Sequence, residues 1–483
     1  MFVPLVIIGT ADDGPDGTLF LPETPNDAET VFGWKQTEYY TLQSDQASAS
    51  TKYPIWGGLI DVYKKVGSRI YRDPLYMLRV QASGTYVTFG QPGASGSYIF
   101  SYVRVPNDDN IVLAMHTVLN QGADMPYLYR VPGTKANVII GGLKLEAEYS
   151  GEKYNDIPVI VDNDTLTIVY TSDYAPPSGI SYDIHQPANL LVDQINKDHY
   201  TNKHPLMAYS VFNPAIPSGT YATSGGANGT VNSWSVCNAL DSMDLDSVGM
   251  IVIAGSPPSE VVNSALGFIE SQGEYAGPAC LIASAPWSLR GASAEDLEAF
   301  LNSLPFNSNK LFYVPGWGAD IASPVNPAWI PLSYVFAGLW LANTSAPTNK
   351  STSLYDISPI WSTDQLHSLG NKYCVFNKYI ISNLSPWRSC PTNGENPLIT
   401  KVKIDIANRI GSAFEYIIGE QGILPDRVYD ITGEALEDLD NVRDIQYTCE
   451  IGTYYIIITV YVIVYGETQY IQMNLISRRP ENA

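Results

Sequence analysis

The stretch VGMIVIAGSPPSEVVNSALGFIESQ, residues 248–272, couples an uncharged apolar run to a helical stripe. The run VGMIVIAG (248–255) is continuous rather than alternating, the pattern of a strand buried on both faces. Behind it Val261, Val262, Ala265, Leu266 and Ile269 fall on one face of a helix. The pattern then repeats. ACLIAS (279–284) reads as a second strand, SAEDLEAFLNSL (293–304) as a second helix and LFYVPG (311–316) as a third strand. Ser293 and Asp296 form a capping-box pattern, Leu297, Phe300, Leu301 and Leu304 supply the buried face, and Pro305 stops the helix. Strands joined by such short helical connections predict right-handed crossovers and a parallel sheet.

Outward from this segment the texture changes. VPLVIIG (3–9) reads as another buried strand. LIDVYKKVGSRI (59–70) reads as a helix and LYMLRV (75–80) as a strand, after a polar link TLQSDQASAST (41–51). Between residues 83 and 235 short apolar runs such as SYIFSYVRV (97–105), NVIIGGLKLEAEY (137–149) and LTIVYT (166–171) are punctuated by turn residues, which predicts a mostly β insertion. Its downstream limit is the loop PSGTYATSGGANGTVNS (217–233). NKYIISNL (377–384) reads as a helix, and KVKIDIANRIGSAFEYIIGEQ (401–421) as a longer one with Ile406, Ile410, Ala413, Phe414, Ile417 and Ile418 in a stripe. An acidic link, TGEALEDLDNVRD (432–444), leads to the end of the chain.

There, TYYIIITVYVIVY (453–465) is uncharged and rich in β-branched and aromatic residues, so it reads as a strand. Fully extended it would reach about 43 Å, long enough to predict an internal bend or bulge. Gly466 and Glu467 suggest a turn, and residues 468–477 a returning strand. It falls short of the roughly 20 apolar residues of a membrane helix. An unpaired edge of such a hairpin is a template for strands of other chains. On that reading Tyr454, Ile456, Ile458, Val460, Val462, Val464, Tyr470, Met473 and Leu475 are the candidate assembly residues.

The fold class expected is α/β plus β, a discontinuous core with a partly parallel sheet, an inserted β domain and an α+β end closing on a hairpin. The expected division is 1–82 and 236–395 for the core, 83–235 for the outer domain and 396–483 for the C-terminal domain.

The 483 residues carry 27 Lys plus Arg against 49 Asp plus Glu, a net charge of −22, which repels nucleic acid and anionic lipid. Five cysteines, widely spaced and without a C-x-x-C pair, fit reduced thiols rather than a disulfide framework or zinc site. The start, MFVPLVIIGTADDG, has neither the basic opening nor the cleavage site of a signal peptide. No cofactor is expected. The loop GSPPSE (255–260) loses two amide donors to Pro257 and Pro258, TADDGPDG (10–17) is acidic, and both glycine-rich phosphate motifs are absent. The clusters ADDGPDG (11–17), PNDDN (106–110) and DNDT (162–165) lack the ligand spacing of a calcium loop and read as solvated turns. Asp241, Asp244 and Asp246 read as capping and solvating a helix-to-strand turn, and the five histidines, His116, His185, His199, His204 and His367, as surface or hydrogen-bonded groups. No nucleophile motif occurs, and Cys280 lies inside an apolar run. The chain therefore reads as structural, not enzymatic. A glycan-binding or glycan-cleaving surface protein, using the tyrosine-rich insertion, is the alternative of another class.

Several segments, in order, resemble the contractile tail sheath family of bacteriophages and related injection systems. VIIGTADDGPDGTLFLPETPNDAETVFGW (6–34) resembles the family's opening strand, G-T-A-x-x-G-P and helix ending in F-G. LYMLRV resembles the strand before the variable insertion, and LKLEAEYSGEKYNDIPVIV (143–161) the A-x-x-x-G-x-x-x-N segment. NALDSMDLDSVGMIVIAG (238–255) resembles A-L-x-x-L-x-x-V and the strand ending in P-G, with Ala254 in place of proline. SYVFAGLWLANTSAPTNKS (333–351) resembles the A-G-x-x-A-R segment, with Asn343 in place of arginine, and the last 110 residues resemble the closing core. The resemblance implies hexameric rings stacked in a helical lattice around a tail tube, contraction that drives the tube through the host envelope, and baseplate and terminator partners. It also implies a virion tail location, assembly in the host cytoplasm, no direct nucleic acid and no membrane insertion. The family carries an extended arm before its first buried strand, where here Met1 lies two residues from it; a non-contracting cap or baseplate protein is the variant this implies. Lys372, Lys378, Lys401, Lys403 and Arg409, basic in an acidic chain, are the tube-facing candidates.

Overall fold

In a computed structural model, the structure describes residues 3–42, 48–66, 69–72, 81–88, 96–170, 178–201, 204–210, 216–272, 279–289, 292–304, 308, 310–314, 317–320, 329–342, 357–359, 374–376, 379–383, 397–414, 424–439, 442–452, 455–464 and 470–478. Its largest sheet has eight strands, in the order Leu19–Phe20, Tyr127–Arg130, Val3–Gly9, Val248–Ile253, Cys280–Ser284, Leu311–Val314, Tyr379–Asn383, Cys374–Phe376. The run from Tyr127–Arg130 to Leu311–Val314 is parallel throughout, as the alternation of strand and helix predicts.

Every residue of Val248–Ile253 and Cys280–Ser284 is buried. Successive side chains serve opposite faces. Ile251, Ile253, Leu281 and Ala283 pack with helices Ser233–Asp241 and Ser259–Ser271. Met250, Val252, Cys280 and Ile282 pack with helices Ile111–Asn120 and Leu332–Ala342 on the other face. Val261, Val262, Ala265, Leu266 and Ile269 are all buried, and Ser293 Oγ accepts from Asp296 N at 3.1 Å to cap helix Ala294–Ser303.

Two β modules leave this core. The first joins Lys35–Leu42, Gly96–Arg104, Ile55–Val66 and Arg69–Arg72 in one sheet and Ser48–Ser50, Tyr86–Thr88 and Gln81–Ser83 in another, around Ile55, Val62, Val87, Tyr98 and Phe100. The second spans Asn137–Ile140 to Gly219–Ala222, with helix Ala188–Tyr200 packed on its core. Between them helix Ile111–Asn120 and strand Tyr127–Arg130 return to the large sheet. The sheets therefore do not change at residue 83: β structure outside the core starts at Lys35, and part of the 83–235 segment is core.

Two segments read as helices are strands. Residues 59–70 fall in Ile55–Val66 and Arg69–Arg72, because Ile60 and Val62 are buried at a period of two and the strand pairs along Gly96–Arg104. Residues 379–383 of NKYIISNL pair antiparallel with Leu311–Val314, extending the large sheet where a helix would leave its edge open. LYMLRV lies outside the described residues.

The turn after Val3–Gly9 is no solvated loop. Asp12 is buried and paired with Arg104, Asp13 meets Lys153 and Tyr154, and Asp16 lies 3.9 Å from Arg130. The Arg130 side chain, fully buried, donates to Ala11 O at 3.2 Å, Gly14 O at 2.7 Å and Ser150 O at 2.6 Å. One guanidinium thus joins the core strand, the acidic turn and the second module. The glycine-rich loop closes against the same junction: a Cβ on Gly229 would stand 2.2 Å from Val131 O. Arg130→Ala is expected to cost about 3–5 kcal/mol, since it leaves buried acceptors and a carboxylate unpaired. Lys153→Ala, at a partly exposed pair, should cost about 1 kcal/mol or less. Urea unfolding midpoints of the two variants check the contrast.

Candidate assembly surfaces

Helices Pro397–Phe414 and Pro425–Leu436 precede an antiparallel sheet of Val442–Ile451, Tyr455–Val464 and Tyr470–Arg478, with Tyr455–Val464 in the middle. The first half of the expected acidic link is thus the end of a helix. The sheet is flatter in register than its length predicts: the irregularity lies at Val442/Asp444, and Tyr455–Val464 pairs without interruption.

Alternation along the central strand sorts the candidate residues. Ile458, Val460 and Val462 are buried against Val402, Ile406, Ile410 and Leu436, with Ile456 packed at the rim of that cluster. These residues form the unit's own core. Val464 ends the strand, while Met473 and Leu475 stand opposite Val460 and Ile458 in register, and Tyr470 opposite Ile463. Tyr454 lies outside the described residues. Since the central strand is paired on both sides, its backbone has no edge to offer; the sheet's edges are Val442–Ile451 and Tyr470–Arg478.

The opposite face carries Ile457, Thr459, Tyr461 and Ile463, all half-buried. Glu450, Thr448, Gln446 and Asp444 stand opposite them on one side and are exposed. The sequence did hold a signal for this parity. Within the strand the polar Thr459 and Tyr461 both stand at odd positions, the face turned away from the helices.

Among the basic candidates, Lys401 and Lys403 stand within helix Pro397–Phe414. Arg409 is exposed but engaged: its Nη1 donates to Glu437 O at 2.7 Å, and Nη2 to Asp438 O at 3.4 Å, capping the end of helix Pro425–Leu436. Lys372 and Lys378 lie outside the described residues.

A second surface lies at the carboxyl end of the parallel sheet. Strand order reverses between Val3–Gly9 and Val248–Ile253, the place where open α/β sheets bind ligands. Here the 105–110 loop closes over it. Thr10 N donates to Asp109 O at 2.8 Å, and Thr10 Oγ1 to Asp109 Oδ1 at 2.9 Å. The buried Tyr334 hydroxyl donates to Asp108 O and accepts from Gly255 N at 2.6 Å. Asn110 caps helix Ile111–Asn120 through Val112 N and Leu113 N. PNDDN is therefore a structural plug rather than a solvated turn. A cleft of about 560 Å³ remains outside it, lined in part by Asp108, Asp109, Pro257, Pro258, Trp287 and Trp329. Burial, with Asp108 and Asp12 nearby, pushes the Asp109 carboxyl up to about 6. Carboxylates and prolines in place of amide donors make this a poor phosphate site.

The remaining candidate groups are packed into the fold. Cys280 is buried in its strand. His204 Nε2 lies 2.9 Å from the Tyr182 hydroxyl, which donates to Asp198, and His199 Nδ1 lies 3.2 Å from His204 O. DNDT is a turn as expected, its Asp162 carboxylate accepting from Asp164 N and Thr165 N. Among the described residues no cluster of three metal-ligating side chains occurs, and no helix is long and apolar enough to cross a membrane.

No family model and no curated protein matches the sequence. Solved structures do match. A sheath tail protein from Desulfitobacterium hafniense superposes with a TM-score of 0.52 at 11% identity, covering 99% of this chain and 97% of that one. A sheath tail protein from Listeria innocua gives the same TM-score and identity over 99% and 95%. The chain has a sheath-like fold. At this identity the likeness concerns backbone architecture alone.

Ile458→Ala should destabilise the C-terminal unit by about 2–5 kcal/mol, whereas Ile457→Ala, on the outer face, should cost about 1 kcal/mol or less; urea unfolding distinguishes them. For Asp109 the folded pKa lies above the unfolded value of about 3.9. The folded state then holds more protons between about pH 4 and pH 6, so this group's contribution is present at low pH and is lost as pH rises through about 6. Asp109→Asn should gain stability over the parent at pH 8 compared with pH 4, measured by unfolding at both values.

Proposed function

We propose that this chain is a structural subunit of a contractile tail sheath. The observation that carries the reading is the sheath-like fold, matched over 99% of the chain by two sheath tail proteins. Subunits stack as hexameric rings in a helical lattice around a tail tube, and contraction drives the tube through the host envelope. The energy for that step resides in two packings of one lattice, so no nucleotide is needed. An acidic, plugged switch point is consistent with this. The protein is then a virion tail component assembled in the host cytoplasm, meeting baseplate and terminator proteins at the ends of the lattice, with neither catalysis nor nucleic-acid contact of its own.

The core strands 3–9, 127–130 and 248–314, the modules beyond them and the 397–478 unit give the division of labour: a rigid body, outer domains and a lattice-joining end. Lattice contacts fall on the edges Val442–Ile451 and Tyr470–Arg478 and on the face bearing Ile457, Tyr461 and Ile463. Lys401 and Lys403 are the tube-side cations, with Arg409 committed to its own helix end.

Negative-stain electron microscopy of the purified protein over a range of concentration and salt tests the reading. Hollow tubes are expected, lost in the Ile457→Asp/Tyr461→Asp variant without change in its circular dichroism. Discrete rings alone would indicate a non-contracting cap or baseplate part. A chain that stays monomeric in every condition, and with a tube protein present, would remove the proposal.

A further inference from the structure

The cleft at the carboxyl end of the parallel sheet is built unlike the rest of the acidic surface. Asp108 and Asp109 are adjacent in the loop that plugs the sheet, and neither has an ion-pair partner among the described residues, whereas Asp12, Asp13 and Asp16 nearby each have one. Their positions are fixed from behind. Thr10 Oγ1 donates to Asp109 Oδ1, and Tyr334 holds the Asp108 carbonyl. Ser256 hydrogen-bonds the Asp108 carboxylate and its Oγ accepts from Trp317 Nε1 at 2.8 Å. Two carboxylates are thus held in place, desolvated in part, and without a paired cation among the described residues.

The same cleft is lined by aromatic rings. Trp287 and Trp329 line it with their ring centroids 5.9 Å apart and their planes at 68°, and Trp317 stands behind Trp287 at 6.0 Å, edge to face. Pro257 and Pro258 add apolar lining without amide donors. Carboxylates and indoles lining one cleft are the surrounding that favours an organic cation, which gains ion pairing and cation–π attraction together. A hard metal ion is a poorer fit, because it requires about six oxygen ligands and finds two carboxylates. A neutral sugar is a poorer fit because it leaves both charges unbalanced.

We propose that this cleft binds an alkylammonium group, with Asp108 and Asp109 pairing the charge and Trp287 and Trp329 enclosing the alkyl stem. The group has two sources, a free amine or polyamine and a lysine side chain of another chain, and both present the same chemistry.

Isothermal titration of the full chain at pH 7.5, with Trp fluorescence as a second readout, tests it. The probes are spermidine, butylamine and N-acetyl-lysine amide, with maltose and sodium phosphate as controls. Saturable binding of the amines near one equivalent is expected, with quenching of Trp emission and no response to the controls. Preference for N-acetyl-lysine amide over butylamine would assign the source to a protein lysine, and preference for spermidine to a free polyamine. The Asp108→Asn/Asp109→Asn variant, nearly isosteric, should unfold at or above the parent's midpoint at pH 7.5 and weaken amine binding at least tenfold. Trp287→Ala should weaken it severalfold, and Asp444→Asn/Glu450→Gln, on the distant C-terminal sheet, should leave it unchanged. Non-saturating heats, equal loss in the distant variant, or maltose binding at the same site would overturn the proposal.

Discussion

Both faces of the parallel sheet must be covered, and the rest of the architecture follows from that constraint. Val248–Ile253 and Cys280–Ser284 present no polar side chain but Ser284, so neither face can meet water. Each crossover must therefore end in a helix laid on the sheet. The two β modules obey this rule. The first interrupts the crossover between Val3–Gly9 and Tyr127–Arg130, which still closes through helix Ile111–Asn120; the second interrupts the next crossover, which closes through Ser233–Asp241. Material can be added at the carboxyl ends of strands while the core keeps its layers.

Those insertions place chain junctions where an open α/β sheet would otherwise offer a ligand site. Charge holds the junctions shut. Asp12, Asp13 and Asp16 pair with Arg104, Lys153 and Arg130, drawn from three different segments, while Arg130 spends its donors on three carbonyls. A protein with a net charge of −22 thus concentrates several of its few cations at one seam. An isolated exposed pair contributes little, but a fully buried guanidinium with all its acceptors in place resists removal strongly. Such a seam ties the second module and the acidic turn to the core strand.

The legible part of the sequence was periodic. The alternation around VGMIVIAG and SEVVNSALGFIESQ predicted a parallel sheet with covering helices, and the Ser293 cap and the buried Val261–Ile269 stripe follow from spacing alone. LIDVYKKVGSRI was misread because its residues satisfy either period; only pairing along Gly96–Arg104 selects the strand. The terminal hairpin was legible as strands; Thr459 and Tyr461 mark its outer face, while the packing of Ile458, Val460 and Val462 on the helices is a matter of tertiary contact. Acidic turns were misread for a different reason. Their cations, Arg104, Arg130 and Lys153, lie about a hundred residues or more away in the chain, and no local pattern announces them.

Sequence by itself determined the class of fold, the central strands and the strand character of the C-terminal sheet, because each of these rests on neighbours within a few residues. Tertiary structure alone decided where the modules leave the core, what the inner face of Tyr455–Val464 packs against, and that Asp108 and Asp109 line one cleft with two indoles. Those outcomes depend on what distant segments bring to the same place, and a carboxylate's environment is set by its partners in space rather than by its neighbours in the chain.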